Sequence, residues 1–174
     1  MKIAFIGKMA SGKTTCCNYL QSLDPSFKIT NFAKMVKYIA NNIFFMKNKD
    51  RVLLQQIGTK LREIRPSVFI DYVIHETSDS NNYLLDDARY VNEIMTLKEN
   101  GWYLIKLIIS KELQEQRIKK TYPDTYQKHL QRLTHISETQ QDTLSLDIFD
   151  YVLKIDKIKD IKSLYNELKN IKIK

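Results

Sequence analysis

The sequence predicts an α/β fold: a five-stranded parallel sheet with helices packed on both faces, forming a three-layer α/β/α sandwich. Three observations predict it. Short apolar runs alternate along the chain with segments of helical periodicity, the order that parallel sheets require. The runs are apolar at nearly every position, as in strands buried on both faces. A glycine-bearing turn joins the first run directly to the first helix.

The elements follow in order. KIAFIG (2–7) is an apolar run ending in glycine, and residues 13–23 have helical spacing closed by Asp24-Pro25. FKITNF, from Phe27, alternates like a second strand. Apolar residues recur at helical spacing over 33–47 and again over 50–64, and Pro66 is placed to open a further helix running through Glu76. YLLDD (83–87) is a third strand, 91–99 a helix stopped by Gly101, and WYLIKLII, from Trp102, a fourth strand apolar enough to be central. Residues 111–120 are helical, 122–142 are polar and read as mobile, YVLKI (151–155) is a fifth strand, and 158–170 form the closing helix. No repeat, low-complexity tract or Pro/Gly-rich linker interrupts the 174 residues, so one domain is expected, with a lid at about 112–142.

Composition narrows the function classes. No apolar run reaches the roughly 18 residues a membrane span needs, and the amino-terminal apolar stretch is too short for a secretory signal. A cytoplasmic location, the host's if the chain is viral, is the expectation. Cys16 and Cys17 are neighbours on one predicted helix, which argues against a disulfide between them and for small core residues. The formal charge of +8 favours phosphate ligands. Much of it is dispersed lysine, as over 154–174, where lysines alternate with acids on one solvated face. A small-molecule ligand is therefore expected, with neither stable nucleic-acid binding nor a membrane partner. A homodimer and a monomer both stay open.

The strongest motif is GKMASGKTT, which fits G-x-x-x-x-G-K-[ST] with Gly7, Gly12, Lys13 and Thr14. Its place between a predicted strand and a predicted helix lets backbone N–H groups of Ala10, Ser11, Gly12 and Thr15 surround a phosphate at a helix amino terminus. Lys13 would bridge the terminal phosphates of ATP, and the Thr14 hydroxyl would ligate the accompanying magnesium. Such a loop specifies a nucleotide but no reaction. No N-K-x-D guanine reader follows the middle strands, and the acids ending the third strand are aspartates, which favours transfer to an acceptor over hydrolysis.

Transfer of a phosphoryl group needs convergent cations, and arginine, six residues against 22 lysines, is scarce enough that each deserves a reason. Arg89 stands beyond a strand's carboxyl end, where ligands of open α/β sheets bind. Arg117 lies in the expected lid, and Arg62 has either a helix-surface pair with Glu63 or Asp50 or a place at the acceptor. His75, His129 and His135 have no metal-ligand spacing and no nucleophile partner.

Four separated stretches resemble one family, the deoxynucleoside monophosphate kinases of phages, large DNA viruses and some bacteria, within the P-loop nucleoside monophosphate kinases. NFAKMVK is similar to F-A-x-x-x-K at Phe32, Ala33 and Lys37. LLQQIGTKLREIRPSVFI is similar to L-Q-x-x-G-T…R-E-I-x-P-x-x-W at Gln55, Gly58, Thr59, Arg62, Glu63 and Pro66, with Phe69 in place of the tryptophan. DDARYVNE resembles D-x-R-F-x-N-E at Asp87, Arg89, Tyr90, Asn92 and Glu93, and HISET resembles H-x-S-E from His135. The resemblance covers about residues 3–155. It implies a helical lid and ATP with Mg2+ as donor and cofactor, with transfer to a (deoxy)nucleoside monophosphate. It also implies an acceptor site of Phe32, Lys37, Arg62, Phe69, Arg89 and Glu93, and a role for Arg117 against ATP. The alternatives are a P-loop kinase of another small acceptor, of dephospho-coenzyme A or gluconate type, and a nucleotide-dependent nucleic-acid-binding protein.

Adjacent Asp86 and Asp87 cannot both face the phosphate loop if the strand stays regular through them. Register against Arg89, together with the family match, selects Asp87 as the carboxylate for magnesium or for the acceptor's partners. Asp86 is left a supporting role.

Overall fold

A computed structural model describes residues 1–154 and 159–170. The ends of two expected elements, at residues 155 and 158, and the lysine-rich stretch beyond 170 lie outside the described residues.

Five parallel strands form one sheet in the order β2-β3-β1-β4-β5: β1 (Lys2–Ile6), β2 (Phe27–Thr30), β3 (Asn82–Leu85), β4 (Tyr103–Ile108) and β5 (Tyr151–Lys154). Central β1 pairs with β3 on one side and β4 on the other, so Ala4 lies opposite both Leu85 and Leu104. Successive side chains point to opposite faces, and each face has its own core. Ile3, Phe5, Leu84, Ile105 and Leu107 meet Cys16, Cys17 and Leu20 of α1 (Lys13–Leu23), together with Leu164 and Leu168 of α9 (Lys159–Asn170). On the other face Ala4, Ile6, Leu85 and Leu104 meet α2 (Lys34–Asn42), α3 (Arg51–Ile64), α4 (Val68–Glu76) and α5 (Val91–Glu99). The three-layer α/β/α expectation is met, and both cysteines are free and buried.

The helix ends have local causes. Asp50 caps α3 by accepting from the N–H groups of Val52 and Leu53 at 2.9 and 3.0 Å. Ser110 caps α6 (Lys111–Thr121) through Leu113 N–H. α2 ends at Asn42, short of the expected residue 47, because the chain turns back through Phe45 at φ 53 and Met46 N–H bonds to the Ala40 carbonyl. Pro66 lies in a turn just ahead of α4 rather than inside it; Val68 N–H closes that turn on the Arg65 carbonyl.

The stretch 122–142, expected to be polar and to belong to a helical lid, is a chain of short helical turns: α7 (Tyr126–Gln131), α8 (Ile136–Thr139) and adjoining 3-10 turns. His129 is buried and stacked on Tyr122 at 4.0 Å between ring centroids. Glu138 and Gln141 are buried too, 2% and 1% exposed. Glu138 is bound by Arg89 and by Met9 N–H of the phosphate loop, and Gln141 by Lys106 of β4, partners that no hydrophobic periodicity announces. No helix of the described residues is long and apolar enough to cross a membrane.

Candidate active site

The loop between β1 and α1 is shaped by its small residues. A Cβ on Gly7 would come within 2.6 Å of Ser11 Oγ and 2.9 Å of the Leu107 carbonyl, so only glycine fits there. Gly12 has φ 99 and Ala10 φ 62, left-handed values that turn successive N–H groups inward around a concavity. Ser11 is fully buried and its Oγ has no protein partner. Lys13 is folded back over the loop, donating to the carbonyls of Gly7 at 2.6 Å and Lys8 at 2.9 Å. Burial, and secondarily the nearby Arg89 charge, push its pKa down to about 8. Thr14 and Thr15 are exposed at the start of α1. Arg117 of α6 reaches the loop from the other side, its Nη1 donating to the carbonyls of Ala10 at 3.2 Å and Ser11 at 3.4 Å.

The order of the two aspartates is the reverse of that expected. Asp86 faces the loop: its Oδ2 accepts from the Thr14 hydroxyl at 2.5 Å. Asp87 points the other way, its two oxygens accepting from Phe32 N–H at 2.9 Å and Ala33 N–H at 3.1 Å at the entry to α2. Alternation does hold, since Asp86 shares the face of Leu84 and Asp87 that of Leu85. Asp87 and Arg89 do line one cavity, as the register against Arg89 expects, but that side is not the side of Thr14. Thr14 and Asp86 offer the hard oxygen donors, side by side, that suit magnesium carried by a nucleotide. Asp87 does not, because both oxygens are engaged by backbone. Its pKa is raised to about 6, chiefly by burial, against the pull of those two N–H groups.

Arg89 is held at both ends. Its backbone N–H, and that of Tyr90, donate to Glu93 Oε2 at 2.8 and 3.1 Å across the first turn of α5. Its guanidinium pairs with Glu138 of α8, whose other oxygen accepts from Met9 N–H in the phosphate loop at 2.6 Å. Glu93 therefore acts on the backbone of Arg89 while also facing a cavity beside the loop.

That cavity, of about 550 Å³, is lined by Phe32, Lys37, Gly58, Arg62, Phe69, Asp87, Arg89 and Glu93 among others. The volume lies within the range of about 300–1,000 Å³ usual for small-ligand sites. Four sequence segments thus meet around one space. Arg62 stacks on the Phe69 ring, 4.6 Å from guanidinium carbon to ring centroid, and pairs with neither Glu63, which binds Lys60, nor Asp50, which caps α3. Phe32 and Phe69 are 4% and 3% exposed, so each serves core and cavity wall at once. A smaller cavity of about 240 Å³ adjoins it, sharing Arg62, Phe69, Tyr90 and Glu93.

Two roles in this region were not singled out from the sequence, Asp86 as the partner of Thr14 and Lys106, while Glu138 was matched only as the last residue of the H-x-S-E stretch, with no role given to it. Lys106 of β4 is buried, with Nζ 3.2 Å from Gln141 Oε1 and 3.5 Å from Asp142. Asp142 in turn pairs with Lys8 of the phosphate loop at 2.7 Å. A lysine inside an otherwise apolar strand was the available signal. No group of three or more His, Cys, Asp or Glu among the described residues forms a metal cluster.

By sequence the chain matches no protein-family model and no curated protein. Solved structures match it by fold. One is an uncharacterised protein of Eubacterium ventriosum, with a TM-score of 0.63 at 10% identity over 100% of this chain and 99% of that one. The shikimate kinase of Acinetobacter baumannii, solved with shikimate, gives 0.58 at 16% identity, covering 99% and 95% of the two chains. The shikimate kinase of Aquifex aeolicus gives 0.53 at 17% identity, over 98% and 97%. The fold these neighbours share with the chain is the three-layer α/β/α arrangement, with a five-stranded parallel sheet here. Identities this low establish the fold alone.

Proposed function

We propose that the protein transfers the γ-phosphoryl group of ATP to a (deoxy)nucleoside monophosphate, giving ADP and the (deoxy)nucleoside diphosphate. The observation that carries this reading is the cavity beside the phosphate loop, with aromatic walls at Phe32 and Phe69 and guanidinium groups at Arg62 and Arg89. Aromatic walls suit a base, and arginine forks suit a phosphate. The likeness of the fold to phosphoryl-transferring kinases supports the donor half. The sequence resemblance supports the acceptor half.

In this mechanism an oxygen of the acceptor phosphate attacks the γ-phosphorus while the bond to the ADP oxygen breaks. The protein's part is positioning and charge. Lys13 exchanges the carbonyls of Gly7 and Lys8 for phosphate oxygens, and the loop N–H groups hold the donor. Arg117 closes over the loop from the lid side and helps exclude water. Arg89 holds the acceptor phosphate, Arg62 and Lys37 add charge at the cavity, and Asp87 fixes the turn that carries Phe32. Thr14 and Asp86 would hold magnesium, which offsets the phosphates' negative charge when bound.

A coupled assay of ADP release with ATP, Mg2+ and each dNMP and NMP tests the proposal. Failure of every nucleotide to raise release above the no-acceptor rate refutes it. A second reading, transfer to a small carboxylate acceptor, is favoured by one observation: a fold neighbour was solved with shikimate, and Arg62 and Arg89 suit a carboxylate as well as a phosphate. Shikimate and gluconate in the same panel decide between the two.

A further inference from the structure

The carboxylate of Glu138 belongs to neither the donor half nor the acceptor half of the site, yet it joins them. It lies on α8, in a segment whose polarity gave no reason to expect burial, and its side chain is 3% exposed. One oxygen accepts from Arg89 Nη1 and the other from Met9 N–H at 2.6 Å. An ionised carboxylate is costly to bury unless both its charge and its hydrogen-bonding capacity are met, and here they are met by a phosphate-loop amide and an acceptor-side guanidinium. Arg89 itself is 37% exposed and lines the cavity. A guanidinium has five donors, so an edge given to Glu138 leaves others free for a phosphate.

We infer that Glu138 is a positioning residue: it fixes the Arg89 guanidinium relative to the phosphate loop, so that acceptor and donor phosphates meet at a set distance. The inference rests on the nucleotide kinase reading, in which Arg89 holds the acceptor phosphate. Three features of the geometry carry it. Glu93 already anchors the backbone of Arg89, so Glu138 constrains the one part still free, the long side chain. Its second bond goes to the donor loop rather than to the α5 side, which makes the carboxylate a spacer between the two substrates' sites. The other cavity arginine, Arg62, packs on Phe69 and has no carboxylate partner among the described ion pairs, so only Arg89 is tied to the loop. Orientation of this kind acts on the reacting complex more than on either substrate alone.

The test is a double-mutant cycle between Glu138→Gln and Arg89→Lys, measuring kcat and both KM values, with ATP affinity measured separately by calorimetry. Alone, Glu138→Gln should lower kcat/KM for the nucleotide acceptor on the order of 30-fold, mostly in kcat, and change ATP affinity less than about 3-fold. In the Arg89→Lys background the same change should cost less than about 3-fold more, because the guanidinium it orients is gone. Equal losses in both backgrounds overturn the inference, as does a loss confined to ATP affinity. An increase in acceptor kcat/KM also overturns it, since it would make Glu138 a plug that competes with the substrate. If Glu138→Gln fails to fold by near-ultraviolet circular dichroism, Glu138→Asp, one methylene shorter with its charge kept, enters the same cycle. A wild-type protein inactive with every nucleotide overturns the functional reading and this inference together; with an active one, the cycle tests the role of Glu138 alone.

Discussion

The proposed donor and acceptor sides of the site are built by opposite strategies. The donor side is one contiguous loop, residues 7–14, whose own backbone N–H groups and helix terminus supply most of what a phosphate needs. The acceptor side gathers Phe32 from the turn after β2, Arg62 from α3, Phe69 from α4 and Arg89 from beyond β3. A loop that works through its backbone leaves a fixed spacing of glycines in the sequence. A pocket that works through side chains from four segments leaves only scattered single residues. The donor side should therefore be sensitive at few positions and severely so, while the acceptor side should be graded.

The largest effects expected are those of Lys13→Ala and Arg89→Ala, one on each side. Each should lower kcat/KM by about 1,000-fold or more, because each removes a cation from the transferring group. Lys13→Ala should leave the melting temperature unchanged or raised, since it deletes a charge that burial already disfavours. Steady-state kinetics with thermal melts checks both. Near-full activity of Arg89→Ala would remove it from the acceptor site.

Next in size is the aspartate pair, where the comparison becomes sharpest because the residues are adjacent but face opposite halves. Asp86→Asn should cost on the order of 100-fold and shift the magnesium dependence to higher concentration, as expected when a carboxylate beside the Thr14 hydroxyl is neutralised. Asp87→Asn should leave magnesium dependence unchanged and raise acceptor KM about 10-fold, by loosening the turn that carries Phe32. Magnesium titrations of the two variants tell them apart. Equal magnesium shifts would contradict the geometry.

How far the sequence could be read follows from the same contrast. β1, the phosphate loop and α1 are local: apolar run, glycines and helix follow each other without a gap, and each is where the periodicity placed it. The inner strands β1, β3 and β4 were legible because burial on both faces makes them mostly apolar, whereas edge strands β2 and β5 are partly exposed and each carries a lysine. Alternation correctly said that Asp86 and Asp87 point apart. Choosing between them needed to know which face of the sheet carries α1 and with it Thr14, which is a matter of tertiary packing and not of strand geometry. The packing of 122–142 was illegible for another reason. Glu138, Gln141 and His129 are held by polar partners and ring stacking, so their burial leaves no apolar period, and a buried glutamate is spelled like a surface one.

A smaller effect separates the two sides by pH. Lys13 titrates at about 8, below its ordinary 10.5. Phosphates beside it favour the charged form and return the pKa upward. ATP binding should then take up a proton above pH 8, and ATP affinity should fall as pH rises through that value, by at most about 10-fold per pH unit. Calorimetry at about pH 8.5 in buffers of different ionisation enthalpy measures the uptake, which should vanish in Lys13→Met. The acceptor's affinity should show no comparable step.

The smallest effect concerns stability and belongs to Asp87. Its folded pKa of about 6 lies above the ordinary 3.8 because burial outweighs its two backbone hydrogen bonds. Between those values the folded protein binds more protons than the unfolded chain, so stability falls as pH rises. This contribution is fully present below about pH 4 and lost as pH passes through about 6. At 1.36 kcal/mol per unit, the full span is at most about 3 kcal/mol. Asp87→Asn cannot titrate, so the difference in unfolding free energy between it and the wild type should drift in the variant's favour from about pH 4 to about pH 7. Denaturant titrations at several pH values measure that drift, with Asp86→Asn carried through the same series as the comparison. A drift of equal size in both variants would mean that the two carboxylates share one environment, and the opposition of donor and acceptor sides at this strand end would not hold.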